Sequence, residues 1–128
     1  MDREDLIDLV ADLQHDLGKY LRQPLAFLPE AAGEDEIRAA LDEALHRTRR
    51  TPRGVRGAVE IWDEIVDEGG VDLQSLSGFP AVEAAVEKAL AWAEALQQPM
   101  PIDRAKAQAD LSAVAAAVAD LRDEVRGL

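Results

Sequence analysis

Of the two histidines in the chain, His15 is the one whose neighbours could support chemistry. On a helix turning about 100° per residue, Leu6, Val10, Leu13 and Leu17 fall on one stripe and His15 falls on the opposite side, which predicts that it points at water. Ala11 lies one turn before it and Gly18 one turn after it, so both flanks are small. A glycine inside a helix costs about 1 kcal/mol relative to alanine. Such local violations tend to mark sites, so Gly18 asks for a reason. Neutral imidazole is a nucleophile near neutral pH, its unperturbed pKa being about 6.5. Lys19 at the next turn and Arg22 beyond it could neutralise an anion delivered to the ring. Together these residues would suit a phosphoryl-accepting histidine, with His15 as acceptor. The plainer alternative is a solvated surface histidine beside a tolerated glycine.

A second concentration of charge lies at Arg47, Arg49, Arg50, Arg53 and Arg56, with no acid between Glu43 and Glu60. Five of the chain's 14 lysines and arginines sit in this short segment. Arg49, Arg50 and Arg53 could dock an acidic partner, or hold an anion with Thr48 and Thr51 at a helix start. The simpler expectation is that they complement a helix end and pair with the acidic surface around them. His46 reads as a boundary residue. Asp63-Glu64 and Asp67-Glu68 lack a converging histidine and read as solvated surface, and Ser75 to Gly78 carry no activating partner nearby.

The elements that must position these residues are helical throughout. A first helix starts near Asp2, carries Leu6, Val10, Leu13, Leu17 and Tyr20 on its apolar stripe, and is ended or kinked by Pro24. A second is expected from about Glu34 to Arg49. Thr51 and Pro52 signal the start of a third, with Val55, Ala58, Val59, Trp62, Ile65 and Val66 on its stripe and Gly69-Gly70 as its stop. Val71 to Pro80 read as a loop. A fourth helix follows from Ala81 to about Gln97, and a fifth from about Ile102 to near the end. Trp62 is expected in the core, and Trp92 beside its helix's apolar face. No alternating pattern, repeat or low-complexity tract interrupts the reading. The expected fold is all-α: a single domain over residues 1–128, an antiparallel helical bundle of four long helices with a fifth packed at an end or side.

Composition narrows the function classes. The net charge of −12 argues against general nucleic-acid binding. The absence of cysteine removes disulfides and thiolate metal sites. No charged-then-apolar leader opens the chain and no apolar run approaches the roughly 20 residues of a membrane span, so a cytoplasmic protein is expected.

His15-Asp16-Leu17-Gly18-Lys19 resembles the histidine motif of histidine phosphotransfer domains, helical bundles of about this length in which His is followed by any residue, Leu, Lys and Gly. Here the last two are transposed. The stretch is also similar to the phosphoacceptor helix of sensor histidine kinases, where an acidic residue follows the histidine. Those kinases carry a proline five residues on; Tyr20 stands there in this chain. The resemblance implies a carrier of phosphate in a two-component phosphorelay, loaded on His15 by a response-regulator receiver domain. The receiver supplies aspartyl phosphate and magnesium, so the carrier needs no cofactor, nucleotide site or metal of its own. The same letters look like the signature of metal-dependent HD-type phosphohydrolases, but those enzymes require further histidines and an aspartate on several helices, and only His46 remains here. The alternative from another class is a non-enzymatic helical adaptor or self-associating module, a homodimer among its forms, with His15 incidental.

Overall fold

The computed structural model describes residues 3–46 and 55–127, the side chains at 3, 16, 19, 20, 22 and 69–72 excepted. Among the described residues the chain is all-α, with no strand. The helices are α1 (Arg3–Leu17), α2 (Lys19–Ala26), α3 (Glu34–His46), α4 (Val55–Gln74), α5 (Phe79–Ala95) and α6 (Arg104–Arg126). None is long and apolar enough to cross a membrane.

The apolar stripes decide which faces turn inward. Leu6, Val10, Leu13 and Leu17 of α1 are buried, as are Leu111, Val114, Val118, Leu121 and Val125 of α6. Alanines are buried beside them: Ala58 on α4, Ala89 and Ala93 on α5, Ala107 and Ala115 on α6. Among the described residues Trp62 of α4 packs against Phe79 at the start of α5, with ring centroids 5.3 Å apart. Helix α1 packs on α4 and α6, and α5 packs on the same two, so these four helices close a circuit around the core. Helix α2 lies against α3 and α6, and α3 also touches α5.

Side-chain bonds set directions. Ser77, just before α5, meets Glu124 late in α6, whereas Trp92 late in α5 meets Asp110 early in α6, so α5 and α6 run antiparallel. Gln14 of α1 meets Arg122, and Leu25 of α2 meets Arg104, so the α1–α2 segment also runs antiparallel to α6.

Two expectations are corrected. The first helix does not run unbroken to Pro24. It breaks at Gly18, and Pro24 lies inside α2. Pro24 removes one backbone bond, but Leu21 and Leu25 on either side of it are at most 1% exposed and hold the short helix on its neighbours. Nor do Gly69 and Gly70 stop the third expected helix: α4 runs through them to Gln74. Leu73 is 1% exposed and continues the stripe of Trp62 and Ile65. Burying a leucine contributes about 2 kcal/mol, enough to offset the roughly 1 kcal/mol that each glycine costs a helix. The expected helix end at Arg49 and start at Thr51-Pro52 lie outside the described residues. The described residues therefore form six helices where five were expected, one of the expected five being divided at Gly18.

Candidate functional site

His15 occupies the last turn of α1 and is half-buried, not fully exposed as its register predicts. Its place on the helix is opposite the buried Leu6, Val10, Leu13 and Leu17, but it has an interaction partner of its own in the fold. Ala11 is also half-buried. Gly18 is buried and lies between two helices, so it is no bare flank on a continuous one.

The reason for that glycine is steric. Gly18 has φ −98° and ψ −137°, and a Cβ built on it would run into the carbonyl oxygen of Gln14. A backbone oxygen cannot swing aside as the tip of a side chain can, so any other residue would have to move the joint. The conflict between helix propensity and glycine, which suggested a site, is thus resolved by the turn of the chain. Leu21 N donates to Gly18 O at 3.1 Å and opens α2. Gln14 is tied across to α6 by Arg122, whose Nη1 donates to Gln14 Oε1.

The side chains of Lys19 and Arg22 are not among those described, and Arg49, Arg50 and Arg53 lie outside the described residues altogether. Arg56, in the first turn of α4, is exposed. His46 closes α3, with Nδ1 2.9 Å from Asp42 Oδ1 one turn earlier. Among the described residues no group of three histidine, aspartate or glutamate side chains converges as a metal site would require.

The polar side chains that organise this molecule are ones the sequence did not single out. Arg104, the first residue of α6, donates to the carbonyls of Leu25 at 3.2 Å, Leu28 at 2.5 Å and Pro29 at 2.6 Å. These lie at the end of α2 and in the α2–α3 connector, where the Leu25 and Pro29 carbonyls also accept from the backbone N–H groups of Leu28 and Ala32. Arg38 of α3 does the same for the α5–α6 connector. It donates to Leu96 O at 3.2 Å, to Gln98 O at 3.0 Å and to Met100 O. Its Nε lies 3.2 Å from Glu34 Oε1, and that oxygen also accepts from Ile102 N at 2.8 Å. Asp103 caps α6 by accepting from Lys106 N at 3.1 Å. Two connectors, residues 27–33 and 96–103, are thereby locked together at one end of the molecule.

Those connectors carry the largest exposed apolar side chains among the described residues, Phe27 at 81% and Met100 at 69%. Burial patterning could not single them out, because both fall in segments without period. Elsewhere polar groups are used for packing. Trp92, half-buried, donates from Nε1 to Asp110 Oδ2 at 2.8 Å, and Lys88 Nζ stands 3.5 Å from Asp110 Oδ1. Ser77 donates from N and Oγ to Glu124 Oε2 at 3.1 and 3.0 Å, placing a carboxylate beside the start of α5 where the helix dipole favours it.

No known protein family, curated protein or solved structure matches the chain.

Proposed function

We propose that this protein is a non-enzymatic helical interaction module that engages another polypeptide through the end where the α2–α3 and α5–α6 connectors meet. The supporting observation is that Phe27 and Met100 stand in solvent on connectors that Arg38, Glu34 and Arg104 hold in place. Exposed apolar side chains on a held backbone lose little freedom on docking, which favours association. In this reading the helices form an antiparallel bundle of α1–α2, α4, α5 and α6 with α3 at its side, working in the cytoplasm. Capture from a lysate of the source organism tests it: wild type and His15→Gln should retain the same protein, and Phe27→Ser/Met100→Ser should lose it. Capture indifferent to Phe27 and Met100 overturns the reading.

Phosphotransfer from a response-regulator receiver to His15 is the second reading. It is supported by the place of His15 on α1 opposite the buried leucines. Gly18 no longer adds to that support, since its role at the joint is steric. Incubation with a phosphorylated receiver domain would label the protein with an acid-labile, base-stable phosphate that His15→Gln abolishes. No transfer across a panel of receivers from the same organism rules it out.

A further inference from the structure

We infer that the locked end docks a basic segment with apolar anchors, an amphipathic helix of another protein carrying lysine or arginine around its apolar face. The inference rests on the interaction-module reading and adds the chemistry of the partner. Phe27 and Met100 supply apolar contact, and the charged side chains on the same connectors and the helix starts that follow them set the sign of the charge. On the two connectors and the first turns of α3 and α6, the acids Glu30, Asp35, Glu36 and Asp103 are exposed. Glu34 is paired with Arg38. The cations there are Lys106 and Arg104, which keeps its charge on the neutral carbonyls of Leu25, Leu28 and Pro29, and Glu30, Asp35, Glu36 and Asp103 outnumber them four to two. The rim is therefore acidic, in keeping with a chain of net charge −12.

That sign chooses among occupants. A second copy docked by two-fold symmetry would bring two acidic rims face to face, and like charges across an interface are unfavourable. An anionic membrane surface would repel the same rim. A helix that presents apolar side chains between basic ones meets both features, its apolar face on Phe27 and Met100 and its cations on the acids.

Fluorescence anisotropy with two labelled peptides tests the inference. Each is an amphipathic helix of about 18 residues with leucine on one face; one carries lysine on the other face and its counterpart carries glutamate. The lysine peptide should bind wild type, and Phe27→Ser/Met100→Ser should weaken it by about tenfold. Asp35→Lys/Glu36→Lys should weaken it to a similar degree at low salt, whereas Glu83→Lys/Glu87→Lys, at exposed acids on α5, should leave it within roughly twofold. Equal binding of both peptides, still dependent on Phe27 and Met100, overturns the charge assignment and leaves the module reading standing. Lysine-peptide binding that ignores Phe27 and Met100, or that falls as much with the α5 reversals, reflects bulk acidity and overturns the inference. No binding of either peptide overturns the inference, and the module reading then stands or falls with the lysate capture. A dimer in sedimentation equilibrium that Phe27→Ser/Met100→Ser dissociates makes a second copy the occupant. Flotation with phosphatidylcholine vesicles that depends on Phe27 makes it a lipid surface. Either result overturns the inference.

Discussion

At the α1–α2 joint the chain changes course within one residue, Gly18, whereas at the locked end it does so through two connectors, residues 27–33 and 96–103. The joint is specified by exclusion: there is no room for a Cβ beside the Gln14 carbonyl. The locked end is specified by attraction, with Arg38 and Arg104 gathering carbonyls from segments about 60 to 80 residues away in the chain. Steric exclusion acts locally and fails all at once when breached. A set of hydrogen bonds is spread over several acceptors and weakens by parts. The joint should therefore be the more brittle of the two, and the locked end the more gradual.

The largest effect is expected where exclusion rules. Gly18→Ala should destabilise the protein by about 3 kcal/mol in urea unfolding, the upper range for forcing an atom into a packed site. A stabilised variant would mean that α1 and α2 tolerate fusion into one helix, and the contrast between the two regions would collapse. Arg104→Met, which keeps the apolar stem and removes the donors to three carbonyls, should cost about 2 kcal/mol. Glu34→Ala has a local readout. It removes the acceptor of Ile102 N, so the Ile102 amide should lose about 1 kcal/mol of protection in hydrogen exchange while amides in α1 keep theirs. Equal loss in α1 would mean that the locked end and the joint open as one unit. The smallest effect is expected at the exposed tips: Phe27→Ser/Met100→Ser should change stability by less than about 0.5 kcal/mol, which separates a docking role from a folding role.

The histidine motif shows how far local reading reached. The register of α1 was legible, because Leu6, Val10, Leu13 and Leu17 repeat at helical spacing and all four are buried. From that register His15 belongs opposite the core, yet it is half-buried, since exposure depends on what packs beside the helix and not on the helix alone. Gly18 was legible as an anomaly and its cause was not. A mid-helix glycine and a glycine joint look alike in letters, and the Gln14 carbonyl decides between them. The opposite outcome occurs at Gly69-Gly70, where a strong stop signal is overridden by the burial of Leu73.

By itself the sequence determined that the chain is helical and which face of each helix turns inward. Periodicity is a property of neighbours three and four residues apart, and alanine, leucine and valine at those spacings have no better place than a helical core. The Asp103 cap of α6 is local in the same way, three residues from the amide it accepts. Tertiary structure alone decided where the first helix breaks, how far α4 extends and which connectors are held. Arg38 and Arg104 have the same side chain as the arginines in the segment around Arg50, and nothing in their spacing marks them as clamps. They became clamps because folding brought carbonyls of the connectors after α2 and α5 within reach, and a guanidinium with several donors bonds more than one of them at once.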